Sequence, residues 1–173
     1  MSGSYVLLQF GSDLFSHRFE DLEGRPAFTV TTVDQQVNVI VHIAREAAWS
    51  QQHPEIMGPS NSYLYFGPSR APGYLVYGNG AEVAMINHLR QKRDSSISRY
   101  FTAQNGRELK WKVFPQKMEC VDGRTTIAMW ELAQPEDMFS ARLTIKHSGL
   151  SVVTEILTTL SLNRMALDLD WKV

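Results

Sequence analysis

The sequence predicts a mainly β, single-domain protein: a closed antiparallel β-barrel of about 12 strands around one buried C-terminal α-helix. Three observations carry this reading. Glycine-containing turn pairs recur between segments rich in β-branched and aromatic residues, apolar and charged residues alternate in those segments, and the longest apolar-rich run, Gly149 to Trp171, carries very little charge.

The turns are the firmest signal. Asn79-Gly80, Asn105-Gly106 and Asp122-Gly123 each supply the positive φ that a tight hairpin needs. Further strand candidates are YVLLQF (5–10), AFTVTTV (27–33), VNVIVHIAREAAW (37–49), SYLYFG (62–67) and ARLTIKH (141–147). With the hairpin arms these make about eleven or twelve strands, more than a flat sheet of this chain length holds without curling or closing. Alternation is clearest in RELKWKV, where Leu109, Trp111 and Val113 share one face and Glu108, Lys110 and Lys112 the other. Loops are marked by QQHPEIMGPSN (51–61), GPSRAPG (67–73) and LAQPEDMFS (132–140), and NHLRQKRDSS (87–96) reads as a short helical turn leading into a loop.

Read as a helix from Leu150, the apolar run places Val152, Val153, Ile156, Leu157 and Leu160 on one arc, with Ser151, Thr154, Thr158, Thr159 and Ser161 largely on the other. A surface helix carries long charged side chains on its outer face, whereas small hydroxyls can bond the carbonyl of the preceding turn and so be buried with their polar atoms satisfied. A membrane span is a poor fit, because Glu155, Asn163, Arg164 and the hydroxyl residues interrupt the run. After Met165 the pattern ALDLDWKV has period two, with Leu167, Leu169, Trp171 and Val173 on one face, which predicts a closing strand.

Bulk properties set limits on function. A chain of 173 residues forms a core without disulfide or metal staples. Seventeen Lys+Arg against eighteen Asp+Glu give a formal net charge of −1, which disfavours a general nucleic-acid binder. The single cysteine, Cys120, has no intramolecular partner and alternates with Met118, as a small core residue does. MSGSYVLLQFG lacks a basic leader region, so cytoplasmic residence is the default expectation.

Signatures of catalysis are missing. There is no GxSxG elbow or SxxK, and His17, His42, His53, His88 and His147 are scattered along the chain. A non-enzymatic protein is therefore expected. The GNG and GPSRAPG clusters are turns and lack the lysine and following helix of a phosphate-binding loop. For a divalent ion such as Mg, Asp168 and Asp170 on one strand face offer two hard oxygens, and a solvated edge is the preferred reading.

Aromatic content favours binding. Trp49, Tyr63, Tyr65, Tyr74, Tyr77, Trp111 and Trp130, with His42 and His88, offer an apolar lining with a few polar handles, although most such rings in a domain this size belong to the core. In VIVHIAREAAW, His42, Ala44 and Glu46 share one parity and Ile43, Arg45 and Ala47 the other, so either register turns a charged group inward. An inward charge needs a partner. The ligand-binding candidates are accordingly His42, Arg45, Glu46, Trp49, Tyr65, Tyr77 and His88.

SRYFTAQNGRELKWKV (98–113), TIAMWELA (126–133), ARLTIKHSGL (141–150) and the helix after them resemble a small tubby-like family of mushroom-forming fungi, within the superfamily of tubby domains, scramblases and LURP-one-related proteins. The resemblance is good over the C-terminal half and rests on strand rhythm alone in the N-terminal half. It implies a tubby-like barrel around a helix. Most members have no assigned activity, and one kind, a chromoprotein of oyster-type mushrooms, carries a non-covalent organic pigment. The tail ALDLDWKV departs from relatives, which end in a charged helix.

The resemblance implies a chromoprotein or carrier that binds a small aromatic secondary metabolite or pigment without turnover. The alternative is a lipid-interacting module at anionic membranes that uses Arg90, Lys92 and Arg93 of HLRQKRD. A homo-oligomer through an open sheet edge or the aromatic loops is compatible with either.

Overall fold

The computed structural model describes residues 3–172. Twelve strands follow in chain order: β1 (Ser4–Asp13), β2 (Ser16–Asp21), β3 (Pro26–Asp34), β4 (Ile40–Arg45), β5 (Asn61–Tyr65), β6 (Tyr74–Tyr77), β7 (Val83–Ala84), β8 (Ser98–Thr102), β9 (Glu108–Val113), β10 (Lys117–Asp122), β11 (Thr125–Leu132) and β12 (Ala141–Lys146). One helical turn, α1 (Ala47–Ser50), separates β4 from β5, and a 16-residue helix, α2 (Val153–Asp168), follows β12.

All twelve strands form one antiparallel sheet in the order β7-β6-β5-β4-β3-β2-β1-β12-β11-β10-β9-β8. Two meanders, β1 to β7 and β8 to β12, are therefore joined where β1 pairs with β12, Leu7 opposite Leu143. The sheet is not closed into a barrel, contrary to the expectation from strand number. Its two edge strands, β7 and β8, are consecutive in the chain and form no ladder with each other. The physical reason is local: β7 ends after two residues because the chain turns into a 3-10 turn, Met85–His88, whose first N–H bonds Gly73. A single isolated bridge, Arg90 to Tyr100, is the sheet-like contact across this seam.

The turn signals hold at two hairpins, where Gly106 and Gly123 take φ of +86° and +61°. At the third the positive φ falls on Gly78, one residue before the Asn-Gly pair. The long strand expected over 37–49 stops at Arg45 and gives way to α1. The strand β2, SHRFED, had no turn pair or long apolar run to reveal it.

The α2 helix is the core element that the sheet surrounds. Thirteen of its residues are buried, including Glu155, Thr154, Thr158, Thr159, Ser161 and Asn163. The hydroxyls bond back as expected: Thr158 donates to the Thr154 carbonyl and Thr159 to the Glu155 carbonyl, each at 2.7 Å, and the Asn163 amide donates to Thr159 at 2.8 Å. Ser62 of β5 meets Thr158 at 2.7 Å, and the Trp111 indole of β9 donates to Thr159 at 2.7 Å, so both meanders are tied to the helix. No helix among the described residues is long and apolar enough to cross a membrane.

The closing strand does not form. The helix runs on through Asp168 and stops in a Schellman cap: Asp170 adopts φ +55°, its N–H bonds Leu167, and the Trp171 N–H reaches Ala166. Continued helical bonding outweighs the period-two pattern and leaves Leu167 56% exposed. Asp168 and Asp170 thus share no strand face, and Val173 lies outside the described residues.

Candidate functional site: an aromatic stack on the outer sheet face

Register decides the parity question in β4. Ile43 and Val41 face the helix and are fully buried, so Arg45 is the charge that follows them inward. Its guanidinium donates to the Thr154 hydroxyl and the Pro59 carbonyl, each at 3.0 Å. Glu155 lies close enough to oppose the desolvation that lowers the Arg45 pKa. Glu155 itself accepts from the Gln104 N–H at 3.2 Å, and burial raises its pKa. The expected inward charge is therefore held by the first turn of α2.

His42, on the opposite parity, faces outward with Tyr63 directly across on β5. Their rings stack at 4.4 Å with planes 14° apart. Tyr63 stacks in turn on Tyr65 at 6.1 Å, and Tyr65 on Tyr74 of β6 at 4.7 Å, 19° from parallel. Two cross-strand rows result: His42–Tyr63–Val76, and Ile40–Tyr65–Tyr74–Ala84. Every residue in them is half-buried and none carries a formal charge, His42 being neutral in the counted charge. Among the described residues the three tyrosine hydroxyls make no intramolecular hydrogen bond, and the His42 Nε2 has no partner. Burial lowers the His42 pKa, while Glu46 pulls it back up.

The other half of the sheet presents a different outer face. There Glu108, Lys110, Lys112, Lys117, Glu119, Glu131, Arg142 and Lys146 alternate with the buried residues of β9 to β12. Isolated half-exposed rings are common on protein surfaces, but four in one stack, in two rows without charge bordered by Glu46, form a patch of the kind that marks a contact site. What it offers is a wall of π surface rimmed by phenol hydroxyls, suited to planar apolar molecules with a polar edge.

Of the predicted site residues the structure brings His42 and Tyr65 together, through Tyr63. Glu46 sits at the end of the same strand, where it accepts from the Thr29 hydroxyl at 3.0 Å. Trp49 is 1% exposed and packs on Phe28 and His53. Tyr77 points inward beside α2, its hydroxyl pKa raised by burial and by Glu155. His88 is buried at the seam, with Tyr77 and Phe101 at ring distances of 6.1 and 6.0 Å. Trp49, Tyr77 and Arg45 are thus core elements away from the stack. Tyr63 and Tyr74, lining aromatics in the sequence but not among its ligand-binding candidates, belong to the site, and their place in it becomes readable only once the register to His42 is known.

Of the three cations proposed to read lipid headgroups, Lys92 is closely engaged. Lys92 pairs with Glu108 at 3.0 Å and lies over the Tyr100 ring, and Arg90 reaches the same carboxylate at 3.5 Å. Cys120 is fully buried, with its thiol pKa pushed up by burial, which suits a core residue and not a nucleophile. Among the described residues no group of three or more His, Cys, Asp or Glu is placed to hold a metal ion.

Fold and surface together define a β-sheet protein wound on a buried helix, with an uncharged aromatic outer patch. The chain belongs to a family of unknown function, DUF6593, whose model matches residues 13–163. No curated protein and no solved structure matches it.

Proposed function

We propose that this is a non-enzymatic binding protein for a small aromatic metabolite or pigment, of the tubby-like kind found in mushroom-forming fungi. The observation that supports it is the His42–Tyr63–Tyr65–Tyr74 stack, four rings in two cross-strand rows without charge. The helix fills the space within the sheet, so a ligand of drug-like size takes its place on the outer face, against the rings. Stacking and hydrophobic contact supply the affinity, and the tyrosine hydroxyls and His42 supply the polar handles. No step of bond making is required of the protein.

The lipid-module alternative is less well supported, because Lys92 is held by Glu108 and the two aromatic rows carry no cation. Mass spectrometry and an absorption spectrum of the protein purified from its native source test the proposal. A co-purifying aromatic compound that is lost from a Tyr63→Ala, Tyr65→Ala variant is the expected result. Protein free of any small molecule, with headgroup-dependent sedimentation on anionic liposomes, would overturn it.

A further inference from the structure

The seam between the two sheet edges holds a second feature, unconnected with the aromatic stack. Between the 3-10 turn Met85–His88 and β8 lies a pocket of about 360 Å³, lined by Val83, Asn87, His88, Arg90 and Thr102. His88 is 5% exposed, yet neither ring nitrogen has a hydrogen-bond partner among the described residues. Buried donors and acceptors are almost always paired, and an imidazole left with both nitrogens open at a pocket wall points to a group that the pocket receives.

The remaining polar atoms say which group. Arg90 spends its Nε on the Asn87 carbonyl at 3.0 Å, while its Nη2 makes only long contacts, 3.4 Å to the Thr102 hydroxyl and 3.5 Å to Glu108. Glu108 has its closer partner in Lys92. The guanidinium is thereby oriented by its Nε and keeps terminal N–H donors for a second partner. Burial lowers the His88 pKa to about 4. The ring is neutral at pH 7 and brings one N–H donor. Arg90, Lys92 and Glu108 sum to a single positive charge, which suits a monoanion better than a dianion.

We propose that this seam pocket binds a small monocarboxylate, its planar oxygens facing the Arg90 guanidinium and the Thr102 hydroxyl, with His88 donating from the inner wall. A guanidinium and a carboxylate match as fork to fork. Val83 is the apolar member of the lining, so an acid with a short apolar body is favoured over a polar one.

The test is a titration of the full chain with benzoate, acetate and inorganic phosphate, followed by the His88 imidazole carbon–proton NMR signals and by calorimetry at pH 7. Benzoate shifts the His88 signals saturably and binds more tightly than acetate or phosphate. Arg90→Gln weakens benzoate at least about tenfold, as the loss of a charge-assisted pair implies, and Thr102→Val weakens it less. Arg90 is exposed and its bridge to Tyr100 is made by backbone atoms, so Arg90→Gln retains the fold, which a melting curve checks. Tyr63→Ala leaves the benzoate-induced shift of the His88 signals unchanged, and that readout separates this site from the aromatic stack. The proposal is overturned if benzoate leaves His88 unmoved, if Arg90→Gln binds it equally well, or if phosphate binds more tightly.

Discussion

The Trp111 indole N–H on β9 donates to the Thr159 hydroxyl on α2 across 2.7 Å, and that hydroxyl donates in turn to the Glu155 carbonyl at the same distance. Both residues are fully buried. The bond joins the C-terminal meander to the helix, while Ser62 and Thr158 do the same for the N-terminal meander. A Thr159→Val substitution keeps the shape and leaves the indole N–H unpaired. It costs about 1–3 kcal/mol, the desolvation penalty of one buried donor. Thr159→Ser restores most of it. Urea midpoints of the three proteins check the order.

Ile156 lies on the same helix with no exposed surface. Ile156→Ala removes buried methylenes and costs roughly 2–5 kcal/mol, according to how far the site collapses. Ile156→Lys forces an unpaired ammonium into the same place and prevents folding. Expression of both, with circular dichroism on the soluble fraction, is the measurement; soluble, folded Ile156→Lys would refute the internal placement of the helix.

The C-terminal Schellman cap places a non-glycine residue, Asp170, at φ +55°. Its side chain meets only Lys172 at 3.3 Å, and both are highly exposed, so that pair adds little. Asp170→Gly relieves the left-handed conformation and stabilises the protein by about 0.5–1 kcal/mol. A thermal melt showing a raised midpoint is the expected outcome. Were the tail a strand, the same substitution would destabilise it.

Much of the fold is legible in the sequence, and the rest is not for identifiable reasons. Alternation in RELKWKV and the Gly106 and Gly123 turns act locally, so they can be read one segment at a time. The hydroxyl face of α2 announces burial because a lysine face could not be buried there. By contrast, the open seam depends on a strand of two residues that yields to a 3-10 turn at Met85, and the ALDLDW pattern loses to helical bonds made to residues before it. The site is a matter of register. Tyr63 meets His42 only because Ile43 pairs with Ser62, and no single segment contains that fact.

Acid sensitivity follows from two buried histidines. Burial lowers His17 and His88 to about 4 from the ordinary 6.5, His17 also making a 2.8 Å contact with the Asp13 carbonyl. Between those values the unfolded chain takes up protons that the folded chain refuses. Stability is therefore present in full above pH 6.5 and is lost as pH falls toward 4, at up to about 1.4 kcal/mol per pH unit for each histidine. Glu155, with its pKa raised, works in the opposite sense, since the folded state holds its proton at higher pH than the unfolded. Urea midpoints between pH 7 and pH 4 show the net decline. His17→Gln and His88→Gln each flatten it.

The aromatic stack gives the last test, because its two roles respond differently to substitution. Each ring pair contributes about 0.5–1.5 kcal/mol beyond its area. Tyr65 touches both Tyr63 and Tyr74, so Tyr65→Ala loses two ring contacts and costs about 1–3 kcal/mol, whereas Tyr74→Ala, at the end of the stack, loses one and costs about half as much. If the stack served the fold alone, Tyr65→Phe would be silent, since the hydroxyl makes no intramolecular bond. As a binding surface it would not be silent: stability stays within about 0.5 kcal/mol of the parent, while retention of the co-purifying aromatic compound falls. Quantifying that compound by mass spectrometry, alongside the melting temperature of each variant, separates the two roles. Parallel loss of stability and ligand in Tyr65→Ala, with full retention in Tyr65→Phe, would leave the stack a structural feature and the polar handle elsewhere.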